Sequence, residues 1–309
     1  MKKISFVSGC FNEQSNLEEL IERVFKVAAK FPEFQFEYLI IDNKSTDNSV
    51  SILRTIALTE PRLKVILNVR NFGHIRSPYY GMMQANGDAI IYLASDLQDP
   101  PEISEEFIKN WKTGFKVVAA IKNESEESII FFTIRKIYYE LISRLSDLDL
   151  LKNFTGFGLY DREVIEQCRK MDDPYPYHRG MISELGYPVS KVPFVQPKRK
   201  RGFSKNNLYT LFDIALLGFT NHTKVPLRLA TILGFLMALI FASIGFAYLT
   251  LKLIFWDRFP LGIAPLTIGL FFVGSMQLFF IGVIGEYIGA VYTKITKRPL
   301  VIEESRINF

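Results

Sequence analysis

Cysteine is scarce in this chain. Cys10 and Cys168 are the only two in 309 residues, far apart and in no metal-ligand spacing. That excludes a disulfide framework and a cysteine-held zinc, and both read as reduced packing residues of a cytosolic domain. No Gly-x-Gly-x-x-Gly turn follows a strand, and no Walker-type phosphate loop is present, so a dehydrogenase or a P-loop NTPase is disfavoured. The apolar run after Met1-Lys2-Lys3 is too short for a signal peptide and soon meets Asn12-Glu13. Charge is missing in two places: 229–251 and 262–285 contain no Asp, Glu, Lys, Arg or His. Each exceeds the ~20 apolar residues that span a bilayer as a helix.

Those two stretches explain a mean hydropathy of +0.14, high for a wholly soluble chain. The length suggests about two domains. A net charge of +5 fits an anionic partner: a membrane surface, a phosphate-rich substrate or nucleic acid. Two membrane spans disfavour nucleic acid.

From the amino terminus, strand and helix alternate. Strands are expected at 4–10, 36–41, 63–68 and 89–93, from apolar runs closed by polar turns. A Ser15-Asn16-Leu17-Glu18 capping box should start a helix reaching about Lys30. Ser77-Pro78 reads as an N-cap and first residue of a helix to about Asn86. This alternation argues a doubly wound, mostly parallel α/β sheet. Asp42 and Asp96 then close two different strands along one carboxyl-end crevice, where such sheets bind ligands. The carboxylate of Asp96 and the amide of Gln98, two residues apart, can face one hard cation that also holds substrate phosphates.

The carboxyl-terminal third has a different character. The basic run Lys198-Arg199-Lys200-Arg201 leads into 207–220, where Leu208, Leu211, Phe212, Ala215, Leu216 and Phe219 recur at helical spacing. Just before a span, this reads as an interfacial amphipathic helix. Basic residues flank the spans on the large-domain side, which the positive-inside rule places in the cytoplasm with both termini. Gly269, Gly274, Gly282, Gly285 and Gly289 allow close helix packing, within one chain or between copies in a homo-oligomer. The segment 128–145 is a second amphipathic stretch, read as core or membrane contact.

Several segments together resemble family-2 glycosyltransferases of the polyprenyl-phosphate type, which include dolichol-phosphate mannose synthase and bactoprenol glucosyltransferases. They are 7–13, 42–47, Arg70-Asn71-Phe72-Gly73, Asp96-Leu97-Gln98-Asp99-Pro100-Pro101-Glu102, Arg199-x-x-Gly202-x-Ser204-Lys205 and 282–289. The resemblance covers nearly the whole chain, and the Asp96–Glu102 stretch is its most specific part. It implies a GT-A-like domain over 1–205, an interfacial helix over 206–224, a two-helix transmembrane domain over 225–293 and a cytosolic tail over 294–309. It implies that Phe11, Glu13, Asp42, Asn71, Asp96 and Gln98 bind the nucleotide-sugar. By the same resemblance Asp96 would be the catalytic organiser and, with Gln98, the ligand of Mg²⁺ or Mn²⁺. Arg179, Arg199, Ser204 and Lys205 would face the acceptor or a phosphate.

The chain departs from the family pattern at three places. Ala94 replaces the first Asp of the usual Asp-x-Asp, Asn43-Lys44 replaces Asp-Gly, and Gly156 replaces an Asp assigned as base. Asp99, His178 and Asp161 remain for acid–base or orienting work, with Asp161 also expected to cap the helix that follows it. The expected activity is inverting transfer of a sugar, from a UDP-sugar, to a polyprenyl phosphate such as undecaprenyl phosphate. It would serve cell-envelope polysaccharide from the inner (plasma) membrane. The alternatives are another lipid or glycan acceptor, or a non-catalytic membrane scaffold that keeps the fold.

Overall fold

The computed structural model describes residues 1–124, 151, 153–197, 225–255, 263–296 and 298–309. The expected amphipathic segments at 128–145 and 206–224 lie outside the described residues, as do Arg199, Ser204 and Lys205. The amino-terminal half alternates as anticipated: β1 (Lys3–Cys10), α1 (Leu17–Ala28), β2 (Gln35–Asp42), α2 (Ser49–Thr59), β3 (Leu63–Asn68), α3 (Gly73–Gln84) and β4 (Ala89–Tyr92). A 3-10 turn at Pro101–Ile103 leads into α4 (Ser104–Lys112). Then come β5 (Val117–Glu124), β6 (Phe154–Asp161), α5 (Arg162–Met171), α6 (His178–Glu184) and β7 (Val189–Val195). Two long helices, α7 (Val225–Ile254) and α8 (Ile263–Ile295), precede a last strand, β8 (Glu303–Ile307).

One eight-stranded sheet has the order β7-β5-β6-β4-β1-β2-β3-β8. β6 pairs antiparallel with β4 and β5, β8 pairs antiparallel with β3, and the remaining pairings are parallel. This is the GT-A-like, mostly parallel sheet that was expected. Strand periodicity of two splits the core cleanly. Phe6, Tyr38, Ile40 and Ile91 face α1, α2 and α4, packing with Leu20, Leu53 and Phe107. Val7, Leu39, Ile41 and Ile90 face α3, α5 and α6, packing with Tyr79, Met82, Ile165 and Met181. Cys10 and Cys168 are free and buried in these two layers.

Three local expectations are corrected. Asn16, not Ser15, is the residue before α1, and no side-chain cap bond forms there. The Asn16 amide turns back to Glu13 Oε2 at 2.6 Å, so the polar turn is spent on the preceding loop. α3 begins at Gly73 and carries Pro78 inside it rather than starting at Ser77. Ser77 is buried and accepts from Asn68 Nδ2 at 3.0 Å. The Pro78 ring presses on Gly9, where an added Cβ would lie 2.6 Å from Pro78 Cγ. A tertiary contact of that closeness holds a proline where helix propensity opposes it.

The third correction concerns the carboxyl terminus. In place of the expected cytosolic tail over 294–309, Glu303–Ile307 joins the sheet as β8, with Val65 opposite Ile307 and Asn68 opposite Glu303. Asn308 Nδ2 donates to Ala57 O at 2.8 Å and to Leu63 O at 3.0 Å, fastening the end of the chain. The unpaired edge of β3 is thereby covered.

α7 and α8 have 30 and 33 residues, about 45 and 50 Å of helix. Both are long and apolar enough to cross a membrane. Their large apolar side chains point outward: Phe246 is 72% and Leu270 67% exposed. An exposed apolar surface of that extent marks an interaction surface, for a membrane or for another protein.

Candidate functional site

The carboxyl ends of β4, β1, β2 and β3 are neighbours in the sheet, so their four loops form one continuous surface. Hydrogen bonds stitch them together. Ser95 Oγ donates to Gly9 O at 2.7 Å, tying the β4 loop to β1. Asn12 N donates to Ser45 Oγ at 2.9 Å, and Thr46 N donates to Asn12 Oδ1 at 2.7 Å, tying the β1 loop to that of β2. Phe11, Glu13, Asp42, Asn71, Asp96 and Gln98 all stand on these loops or strand ends, so the structure does bring the expected donor residues to one edge. Asn12, Lys44 and Leu97 have φ of 58°, 64° and 62°. For Lys44 and Leu97 this left-handed backbone costs about 1–3 kcal/mol, which the surrounding bonds must hold in place.

Asp42 is 1% exposed. Its Oδ1 accepts from Ser45 N at 2.9 Å and its Oδ2 from the Ser45 hydroxyl. Burial raises its pKa above the ordinary carboxylate range, while the two Ser45 bonds oppose that. Glu13 is buried and holds the Asn16 amide. Next to Asp42, Asn43 is the hub of the edge. Its Nδ2 donates to Asn71 Oδ1 at 2.8 Å and Gly73 O at 3.1 Å. Its Oδ1 accepts from Phe72 N at 2.8 Å and Asn68 Nδ2 at 3.2 Å. The sequence marks Asn43 only as a departure from Asp-Asp. The structure shows a residue that must donate as well as accept, which a carboxylate cannot do.

The β4 loop is a tight coil. Asp96 is partly exposed and its Oδ1 accepts from Gln98 N at 3.1 Å. The Gln98 amide nitrogen reaches Pro197 O at 3.5 Å, which leaves its carbonyl oxygen for a ligand. Pro197 immediately precedes the basic run of 198–201 in sequence. Asp99 is 4% exposed, and its Oδ2 accepts from Ala94 N at 2.9 Å. Burial, with the negative charge of Asp96 adding to it, pushes its pKa up to about 7; the Ala94 N–H, Arg179 and Lys122 pull the other way.

Among the described residues no group of three or more His, Cys, Asp or Glu forms a self-sufficient metal cage. The donors at the β4 loop are carboxylate and amide oxygens. That set fits Mg²⁺ or Mn²⁺ bound by one or two carboxylates, with substrate phosphates and water completing the shell.

α6 brings the opposite charge. Arg179 sits on its first turn and acts electrostatically on Asp99, Tyr92, Tyr160 and His178. His178 packs edge-on to Tyr160, ring centroids 4.8 Å apart, and both ring nitrogens are buried with no hydrogen-bond partner among the described residues. Burial, then the Arg179 charge, lowers its pKa to about 3, so it is neutral and no proton carrier near pH 7. Asp161 caps α5 as expected, accepting from Glu163 N at 2.9 Å, and its other oxygen accepts from Trp111 Nε1 at 2.8 Å. That occupies it structurally. Gly156 has φ +99°, and a Cβ there would meet only the Tyr92 ring, at 3.8 Å. Space is available, but the left-handed backbone disfavours an Asp in that place.

The family model described as "Glycosyl transferase family 2" matches residues 5–169. The chain is 33% identical over 302 residues to an uncharacterized glycosyltransferase, YkcC, of Bacillus subtilis, covering 96% of this chain and 92% of that protein. It is 32% identical to a prophage bactoprenol glucosyl transferase homolog of Escherichia coli, covering 97% and 98%. Among solved structures, it is similar to the mannosyltransferase PcManGT from Pyrobaculum calidifontis in complex with GDP-Man and Mn²⁺. That likeness has a TM-score of 0.49 and 15% identity, covering 96% of this chain and 88% of that one.

Proposed function

The chain belongs to glycosyl transferase family 2, and from that membership we propose that it moves a sugar from a nucleotide donor, a UDP-sugar, to a polyprenyl phosphate. The named function of bactoprenol glucosyl transferase relatives supports the acceptor class. Inversion at the sugar carbon is what the family resemblance implies.

One observation carries the lipid acceptor. The strands that flank the two apolar helices, β7 and β8, are the two opposite edges of the same sheet. β7 is parallel to β5 and leaves the sheet at Val195, at the carboxyl-end edge. β8 is antiparallel to β3 and joins it with Glu303 opposite Asn68, again at the carboxyl-end edge. The two attachment points are seven strand spacings apart, roughly 34 Å, and between them lie the loops of Asp42 and Asp96. A domain tethered at both ends of its functional edge presents that edge to the membrane, where a polyprenyl phosphate resides. Basic residues on this side favour the cytoplasmic leaflet and a two-span topology.

The chemistry follows from the residues. Asp42, with Phe11, Glu13 and Asn71 beside it, holds the nucleoside. Asp96 and Gln98 would hold a divalent cation on the diphosphate, and that cation would stabilise charge on the leaving nucleoside diphosphate. Arg179 offers a fork suited to phosphate, and Arg199, Ser204 and Lys205 join it from the sequence motif. A base at 156 is dispensable because a phosphate monoester, with a second pKa of about 6, is already anionic near pH 7. Alignment and charge stabilisation then carry the rate.

A second reading, a membrane scaffold without turnover, is favoured by Ala94 and by the left-handed Gly156. Labelled sugar from a panel of UDP-sugars is offered to undecaprenyl phosphate with the full chain in detergent, as wild type and Asp96→Ala, with Mn²⁺, Mg²⁺ or EDTA. Transfer that is lost in Asp96→Ala supports the transferase. Tight UDP binding with no transfer to undecaprenyl phosphate from any donor supports the scaffold.

A further inference from the structure

Several arginines of the domain face a carboxylate. Arg23, Arg62, Arg169 and Arg306 pair with Glu102, Glu60, Glu166 and Glu303. Three others do not, and they come together from three parts of the chain: Arg70 on the loop after β3, Arg76 on the first turn of α3, and Arg298 just past α8.

The guanidinium carbons of Arg70 and Arg76 lie 4.0 and 5.9 Å from the centroid of the Phe72 ring. They are therefore about 10 Å apart or closer, and a phosphate held between two guanidinium groups sets their carbons roughly 8 Å apart. Arg76 Nη2 donates to Pro299 O at 2.5 Å, which brings the neighbour of Arg298 onto the same cluster. Arg70 Nη1 donates to Asn71 O at 3.1 Å. Both acceptors are neutral carbonyls, and among the described residues none of the three arginines has a carboxylate partner. Arg76 Nε is buried with no hydrogen-bond partner among the described residues. Burial lowers the pKa of Arg76, and the charges of Arg70 and Arg298 add to that while Tyr175 opposes it. Like charges gathered without a counter-charge repel, and a bound anion offsets the repulsion.

The cluster stands at the foot of α8. Arg298 lies three residues beyond Ile295, the last residue of that helix, at most about 11 Å of chain. Val69 and Ile302 flank it, 40% and 52% exposed, with Val69 N donating to Ile302 O at 3.1 Å. Cations beside exposed apolar side chains, at the end of a long apolar helix, match a lipid head and the top of its chain. On the other side, Arg179 acts electrostatically on His74, two residues before Arg76, so the cluster borders the α6 end of the candidate site.

We propose that Arg70, Arg76 and Arg298 form a binding site for the phosphate of a membrane lipid at the junction of the domain with α8. This rests on reading α8 as a membrane helix, and it deepens the lipid-acceptor reading above without requiring turnover. The shared chemistry is a phosphate on an apolar chain. Its two sources are the polyprenyl phosphate acceptor and an anionic phospholipid of the bilayer.

The full chain in detergent is titrated with undecaprenyl phosphate, phosphatidylglycerol and phosphate-free undecaprenol, with bound lipid counted by native mass spectrometry. UDP is titrated in parallel by calorimetry. Arg70→Gln/Arg298→Gln removes two charges and leaves the Arg76 bond to Pro299. It should bind undecaprenyl phosphate, phosphatidylglycerol or both about tenfold or more weakly, the scale of one lost charge-assisted hydrogen bond. Undecaprenol and UDP should bind it as they bind the wild type, and Arg70→Lys/Arg298→Lys should recover part of the loss because the cations are kept. Should the double variant not fold, Arg298→Glu, at an exposed position, should weaken the same lipids and spare undecaprenol. A loss confined to undecaprenyl phosphate assigns the site to the acceptor, and a loss that includes phosphatidylglycerol assigns it to bilayer phosphate as well.

Binding of both phosphate lipids that stays within about twofold of wild type in Arg70→Gln/Arg298→Gln overturns the site and leaves the transferase reading standing. So does wild-type binding of undecaprenol as tight as that of undecaprenyl phosphate, or a loss confined to UDP. Phosphate-dependent lipid binding through these arginines in a wild type that binds neither UDP nor GDP keeps the site and overturns the transferase reading.

Discussion

Replacing Asn43 by Ala removes the hub that joins the ends of β2 and β3 to the start of α3. Four hydrogen bonds disappear. They are not equal. Asn71 lies at the surface, so water can serve its oxygen. Asn68 Nδ2 keeps Ser77 Oγ, so only a net bond is lost there, about 1 kcal/mol. Phe72 is buried and its N–H has Asn43 Oδ1 as acceptor, so that donor is orphaned at a cost of about 1–3 kcal/mol. The sum is on the order of 3 kcal/mol. At about 2–4 °C per kcal/mol for a domain of this class, the thermal midpoint should fall by about 6–12 °C in detergent, followed by intrinsic fluorescence. Asn43→Asp still accepts from Phe72 N–H but faces two acceptors, Asn71 Oδ1 and Gly73 O. It should lose less stability than Ala while weakening UDP binding through a displaced Asn71. A double-mutant cycle with Asn68→Ala should show coupling of at least about 0.5 kcal/mol. A midpoint drop under about 2 °C for Asn43→Ala, or strict additivity with Asn68→Ala, would falsify the hub.

Three further outcomes follow from the geometry. Gly9→Ala places a Cβ 2.6 Å from the stiff ring of Pro78; forcing them apart should cost about 1–3 kcal/mol, read as a lowered thermal midpoint that Gly9→Ala/Pro78→Ala recovers. Glu37 is buried, and burial works against its charge. Even so, Lys3, Ser5, the Asn86 N–H and Lys64 hold its pKa down to about 2 from the usual 4.5. A depressed folded pKa adds stability that is complete above the unfolded value and fades as pH falls from about 4.5 to about 2. The contribution is on the order of 3 kcal/mol at 1.36 kcal/mol per unit, so the wild type should lose midpoint steeply across that window and Glu37→Gln should not. Ending the chain after Ile302 deletes β8 and the Asn308 clamp. It should lower the midpoint and raise amide exchange in β3, whereas a true tail would leave both unchanged.

Much of this protein is determined by the order of residues alone, wherever the deciding interactions are local. β1 to β4 follow from apolar runs closed by Asn, Asp and Gly, because a buried parallel strand needs little more than that pattern. The two long apolar helices, long enough to cross a membrane, follow from the absence of charge across more than about 20 residues. The placing of Asp42 and Asp96 on one edge follows from the strand–helix alternation. Tertiary structure decided the rest. β8 has the polar sequence Glu-Glu-Ser-Arg-Ile and pairs with a strand more than 230 residues away; such an edge strand is stabilised by its partner's open backbone, which no local pattern records. Pro78 lies inside α3 because Gly9 on another element leaves room for it. Asn43 is a hub only once β3 and α3 stand beside β2. Asp99 becomes a buried carboxylate held by the Ala94 N–H only in the folded β4 loop. Burial and hydrogen-bond partnership are properties of neighbours distant in sequence, as the Asp161 bond to Trp111 shows.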